Sequence, residues 1–172
     1  MKKIVLLIAH EGFQPVEYSE AKKVFDFAGF DVITASDKTG SAKPSTGIDS
    51  VDVDYKISDI KPEDYDGFFI IGGHGAMDFL NSSEVHSLFR LAMKKEKFVG
   101  AICIAPRILA EAGILKNKKA TGWDGDNELG DILVKAGAEY IREPVVVDGT
   151  LITASGPAVA RDWGLAIVQS VK

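Results

Sequence analysis

Short, almost uninterrupted apolar runs recur along this chain, and each hands over to a stretch with helical spacing. IVLLIA occupies residues 4–9, GFFII precedes a glycine cluster, and FVGAIC ends on the only cysteine. A strand with no polar face must be covered on both sides, which is the condition of a strand inside a parallel sheet. Between these runs lie helical segments. PVEYSEAKKVFDFAGF has Pro15 in its first turn, Val16, Ala21, Val24, Phe25 and Ala28 at helical spacing, and Gly29 as its stop. SSEVHSLFRLAMKKEK turns Val85, Leu88, Phe89 and Ala92 inward, with Ser83 as its cap. APRILAEAGIL starts at Pro106 and stops at Gly113; ELGDILVKAG and GPAVARDWGLAIVQSVK complete the helices. FDVITAS is a second strand, and a short strand lies around Ala120. Ile48, Val51, Val53 and Tyr55 alternate as half-exposed strands, and PVVVDGTLITAS is a hairpin turning at Asp148-Gly149. The pattern predicts an α/β three-layer sandwich, with a mainly parallel sheet covered by helices on both faces, as one domain over 1–172. There is no repeat, linker or low-complexity tract.

Charge and hydropathy narrow the functions. A net charge of −5 argues against nucleic acid or an anionic membrane as partner. The one basic cluster, Lys116 with Lys118 and Lys119, reads as a solvated loop. No segment is long and apolar enough to cross a bilayer. The opening MKKIVLLIAHEG has the charge pattern of a signal peptide, but its apolar run is too short and no small-residue cleavage site follows. A single cysteine cannot form an internal disulfide, so a reducing cytoplasm is the expected location.

In open parallel sheets the functional groups gather outside the carboxyl ends of the strands. That edge collects His10, Gly72 to Gly75, Cys103, Trp123 and Asp124, with Glu17 in the first turn of the first helix. Cys103 lies between a strand and a helix. A lone cysteine is often only a small hydrophobe. On such a turn, however, the side chain is held out at the sheet edge, beside main-chain N–H groups that lower a thiol's pKa. Glu17 has two readings as well: a surface carboxylate at a helix N-terminus, or a buried acid that donates to the sulfur. The glycine cluster GGHG lacks both the dinucleotide and the phosphate-loop patterns. Beside a nucleophile, the N–H groups of Gly73 and Ile104 are candidates for binding an oxyanion. His10, His74 and Cys103 have no familiar metal-ligand spacing, so neither a metal nor another cofactor is expected.

Four segments in order, EGFQPVEYSE, DGFFIIGGHGAMDF, VGAICIAPRILAEAGIL and VVVDGTLITASGPAVARDWGLAIV, resemble the ThiJ/PfpI superfamily, which includes the parkinsonism-associated deglycase and the PfpI intracellular proteases. The resemblance implies a flavodoxin-like sandwich with a nucleophile elbow, Cys103 as nucleophile, Glu17 beside it, and a homo-oligomer. It also shows two departures. Ile104 stands where the proteases carry a histidine, and Trp123, followed by Asp124, stands nearest to the histidine of the deglycase branch. His10 and His74 are the histidines at the right edge that could substitute; as polar loop residues they need no such role.

Three functions are expected to compete. The first is an enzyme acting on small reactive carbonyls or glycated adducts through Cys103 and Glu17. The second is a PfpI-type peptidase whose base comes from elsewhere or from a neighbouring chain. The third is a redox sensor or stress-protective protein using Cys103 oxidation. The substrate is accordingly a small-molecule carbonyl or a peptide.

Overall fold

Alternate residues of β1 (Lys3–Ile8) enter opposite cores: Ile4, Leu6 and Ile8 one, Val5 and Leu7 the other. This is seen in a computed structural model that describes residues 1–172. The chain continues through β2 (Glu11–Phe13), α1 (Pro15–Phe27), β3 (Asp31–Ser36), β4 (Gly40–Pro44), β5 (Val51–Val53) and β6 (Tyr55–Lys56). β7 (Gly67–Ile70) leads through the glycine cluster into a π-helical turn, Ala76–Leu80, and α2 (Ser83–Lys94). β8 (Phe98–Ile102), α3 (Pro106–Glu111), β9 (Lys119–Ala120), α4 (Leu129–Lys135) and β10 (Glu139–Tyr140) follow. The hairpin β11 (Val145–Asp148) and β12 (Leu151–Ala154), then α5 (Ala160–Val171), close the fold.

Seven strands form the central sheet in the order β11-β12-β8-β7-β1-β3-β6. All neighbours are parallel except the β11–β12 hairpin at one edge. β1 is the switch point: from it the chain first builds outward through β3 to β6, then returns beside β1 as β7 and builds the other way. Loops leaving β1 and β7 therefore diverge and leave a crevice at the carboxyl edge.

α1 and α5 cover one face, where Phe25, Phe69 and Trp163 meet Ile4, Leu6 and Ile8. The Trp163 indole N–H donates to Ile152 O at 3.1 Å, so its polar atom is satisfied inside the core. α2, α3 and α4 cover the other face, with Phe89, Leu109 and Leu133 against Val5, Leu7 and Phe68. Each such side chain contributes about 1.5–3 kcal/mol by leaving water. The result is the flavodoxin-like three-layer sandwich. No helix is long and apolar enough to cross a membrane.

Local details depart from the sequence reading. Val16, expected to face inward, is 46% exposed. The buried stripe of α1 is Glu17, Tyr18, Ala21, Val24 and Phe25, so the helix is rotated to turn a carboxyl, not the valine, toward the sheet. Ile48 is exposed and outside any strand, while GSAKP, with one apolar side chain, forms β4 by pairing with β5 and β2. Ser82, not Ser83, caps α2, accepting the Val85 N–H at 3.3 Å. The hairpin pairs Asp148 with Leu151, so its two turn residues are Gly149 and Thr150. Gly149 takes φ 61°, which suits the first central position of a hairpin turn.

Candidate active site

One main-chain link and one side-chain link fix the entrance of α1 to the glycine cluster. Gln14 N–H donates to Gly72 O at 3.0 Å, and Gln14 Oε1 in turn accepts from Val16 and Glu17 N–H at 2.6 and 3.2 Å, capping the helix. Glu17, fully buried, then accepts the Gly72 N–H on Oε2 at 2.7 Å. Its other oxygen, Oε1, has no well-formed hydrogen-bond partner in the protein.

Cys103 approaches from β8. It is half-buried and holds φ 62°, a left-handed conformation that only over-determining surroundings maintain in a residue with a side chain. Those surroundings are visible. Cys103 N–H donates to Ala154 O at 3.0 Å, and Cys103 O accepts the Trp123 N–H at 2.7 Å. The elbow is thus pinned between the end of β12 and the loop after β9. Gly72 fills the gap between the two functional side chains: a methyl group there would lie 2.7 Å from Cys103 Cβ and 2.8 Å from Glu17 Oε2. Gly73, at φ 100°, turns its N–H toward the sulfur.

Burial raises the cost of ionising both groups, and the carboxyl raises that of the thiol further. Burial pushes the Glu17 carboxyl up to about 7, against the Gly72 N–H and the Cys103 thiol, which favour its anion. Burial, then the Glu17 charge and hydrogen bond, push the Cys103 thiol up to about 12, against the N–H groups of Ile104 and Gly73. This corrects the expectation of a thiol lowered by a helix N-terminus. The following helix, α3, has only six residues, and burial together with a carboxylate in contact outweighs it. The pair therefore carries one negative charge above about pH 7, on the Glu17 carboxylate, and keeps one proton, on the sulfur, within reach of that base.

The other sequence candidates separate. Gly73 and Ile104 are at the sulfur. His10 and His74 are not joined to either acid: His10 has both ring nitrogens unpartnered, with Nδ1 3.7 Å from Glu11 Oε1. His74 is exposed, and its ring lies against Gly12. Asp124 is engaged elsewhere, accepting from Leu129 N–H at 2.9 Å and from Tyr140 O–H at 3.2 Å. Trp123 touches the elbow through its main chain, and the residue is 39% exposed. No cluster of three or more His, Cys, Asp or Glu side chains is arranged to hold a metal ion. Sequence reasoning missed Arg107, a buried cation whose guanidinium grips Asp126 at 2.7 and 2.9 Å and stacks 5.5 Å from the Trp123 ring. The signal was an arginine inside the apolar PRILA turn.

Fold and site together define a flavodoxin-like α/β protein with a cysteine elbow at the carboxyl edge of its sheet and a buried glutamate beside the sulfur. The DJ-1/PfpI family model matches residues 2–170, and the chain belongs to this family. It is 37% identical over 171 residues to an uncharacterised Methanocaldococcus jannaschii protein, covering 99% of this chain and 82% of that one. It is 30% identical over 170 residues to a Pyrococcus horikoshii protein named a deglycase, covering 99% of each. The crystal structure of a ThiJ/PfpI domain protein from Brachyspira murdochii superposes with a TM-score of 0.91 at 28% identity, over 98% of this chain and 95% of that one.

Proposed function

We propose that this chain is a cofactor-independent enzyme acting on small reactive carbonyls or glycated adducts through Cys103 and Glu17. One observation carries the reading: a buried carboxyl with a pKa near 7 lies beside a nucleophilic sulfur, and no histidine reaches either group. A base of that pKa is matched to neutral pH. Glu17 takes the thiol proton as Sγ attacks the aldehyde carbon of a 2-oxoaldehyde. The oxygen that gains charge takes up the N–H groups of Gly73 and Ile104 and is protonated, giving a hemithioacetal. Glu17 then moves the proton from the former aldehyde carbon to the neighbouring carbonyl carbon through an enediol. The first carbon is oxidised, the second reduced, and the product is a thioester. Water cleaves it to a 2-hydroxy acid and restores the thiol. No external oxidant enters. On a free 2-oxoaldehyde no amine has to leave; on a hemiaminal adduct the C–N bond breaks as the C–S bond forms, and the amine leaves with the proton that Glu17 took from the thiol.

The relative named a deglycase supports this reading. Peptidase action is weaker, because an amide needs an acid at its leaving nitrogen and Ile104 stands where a histidine would serve. Sensing by oxidation is the second reading, favoured by the raised Glu17 carboxyl: in its protonated form it can donate a hydrogen bond to an oxygen of a sulfenic or sulfinic acid on Cys103. The setting that suits a single free thiol is a reducing cytoplasm, with the chain as a homo-oligomer. Methylglyoxal turnover tests the enzyme reading. Cys103→Ser and Glu17→Ala are each expected to abolish it, and full turnover by either variant refutes it. Mass spectrometry after mild peroxide tests the sensor reading, which fails if the thiol stays reduced.

A further inference from the structure

Arg107 is a buried cation in the first turn of α3, the helix that leaves the elbow. A buried ion pair is seldom more stable than well-packed hydrocarbon of the same volume. The Arg107 Nε is moreover buried without a partner, so its desolvation is not fully offset. In the apolar turn PRILA a methionine would fill the same space. Packing therefore does not account for the residue. What a guanidinium adds is a rigid fork that holds two groups at once.

Both groups lie on the loop between β9 and α4. Nη1 and Nη2 donate to the two carboxylate oxygens of Asp126 at 2.9 and 2.7 Å, and Nη2 also donates to the Trp123 carbonyl at 3.4 Å. The hydrogen bonds from Arg107 hold the Asp126 carboxyl below its ordinary value, so it stays charged at neutral pH. Trp123 in turn donates its N–H to Cys103 O at 2.7 Å, and Arg107 donates its own N–H to Ile104 O at 3.2 Å. These links close a ring, from Cys103 along the chain to Arg107, across the guanidinium to Trp123, and back to Cys103. Gly122 permits the approach, since a methyl group there would crowd Cys103 O at 3.1 Å.

The ring encloses the strained residue. A left-handed φ in a residue with a Cβ persists only where its neighbours impose it, and Cys103 holds 62°. Of its two main-chain partners, Ala154 is fixed in the sheet, whereas Trp123 belongs to a loop without regular structure. Thr121 and Asp124 tie that loop to β12, α4 and β10. Arg107 ties it to the helix that begins at the nucleophile.

We propose that Arg107 and Asp126 are positioning residues for the nucleophile: the pair holds the Trp123 peptide on Cys103 O and so keeps Sγ in place beside Glu17. The inference rests on the reading of Cys103 and Glu17 as the reacting pair.

Two readouts test it, in the native chain, in Arg107→Lys and in Arg107→Met/Asp126→Asn. The double variant removes both charges together and leaves no buried ion unpaired. Arg107→Lys keeps the charge beside Asp126 and loses the fork to Trp123. Amide hydrogen exchange, followed by NMR, reports the Trp123–Cys103 hydrogen bond without reference to activity. Relative to the amides of β1, the Trp123 N–H is expected to exchange about tenfold faster or more in both variants. Cys103 alkylation is then followed against pH, with and without Glu17→Gln in each background. The shift of midpoint that Glu17→Gln causes in the native chain is expected to shrink by about half or more where the clamp is broken, because the sulfur no longer keeps its place beside residue 17. A pair that serves only the fold lowers the denaturant midpoint and leaves both readouts native, and that result overturns the proposal. Faster exchange with an undiminished shift overturns it too, since the thiol is then placed without the clamp. If the double variant does not fold, Arg107→Lys decides alone. If Glu17→Gln leaves the native profile unmoved, the Cys103–Glu17 reading fails, and exchange at Trp123 still decides whether the pair holds the elbow.

Discussion

Glu17 and Cys103 come from opposite ends of the site, one on the first turn of α1 and one on the turn after β8, yet each determines the other's ionisation. Glu17 is held by Gly72 N–H at 2.7 Å, and Cys103 by the strained φ of 62° and its two main-chain hydrogen bonds. The two side chains are brought together by an absence, the missing Cβ of Gly72. The consequences of this arrangement are measurable.

Glu17 ionises near 7 in the folded chain and near its ordinary 4.5 when unfolded. Between those values the folded state binds more protons, so stability falls as pH rises and stays low above 7. The difference corresponds to on the order of 3 kcal/mol. Glu17→Gln keeps an acceptor for Gly72 N–H without the charge. Urea unfolding of the two proteins is expected to give similar stabilities at pH 5 and to favour the glutamine variant by about 2–3 kcal/mol at pH 8.

The strained elbow gives a second expectation. Cys103→Ala keeps a Cβ in the left-handed region, whereas Cys103→Gly relieves it. The glycine variant is expected to be the more stable of the two by about 1 kcal/mol, despite having fewer atoms to pack. Denaturant midpoints of both proteins check this; an alanine variant as stable as the glycine variant removes the strain from the account.

Gly72→Ala places a methyl group between the sulfur and the carboxyl. The chain is expected to fold with a loss of about 1–3 kcal/mol, as for overpacking of a filled site. Turnover of methylglyoxal is expected to fall by about a hundredfold or more, because the displacement falls on reacting groups. Circular dichroism and rate measurements on the same sample separate the two effects.

Much of this was legible in the chain. Three apolar runs fixed the parallel sheet, and the sheet rule alone placed Cys103 and the glycine cluster at one edge. Glu17 was legible too, as a charge standing at i with Ala21, Val24 and Phe25 at i+4, i+7 and i+8; the structure buries it in that stripe and leaves Val16 outside. The direction of the thiol's shift was not legible. It depends on how deeply the sulfur is buried and how closely a carboxylate approaches, and both follow from tertiary packing. β4 was hidden for a related reason, since GSAKP gains its strand from partners and not from its own residues. Arg107 was passed over because a cation in a helix is ordinarily solvated, and only Asp126, brought in from a distant loop, makes its burial tolerable.

The central claim is that Cys103 and Glu17 act as one acid holding one proton near neutral pH. The most direct test is the pH dependence of Cys103 alkylation by iodoacetamide, in the native chain and in Glu17→Gln. The native rate is expected to rise with a midpoint near 7, where the pair first ionises, and the midpoint in Glu17→Gln to move upward by about one unit or more as the buried thiol loses its base. Superimposable profiles for the two proteins, or a native thiol unreactive until well above pH 9, would contradict it.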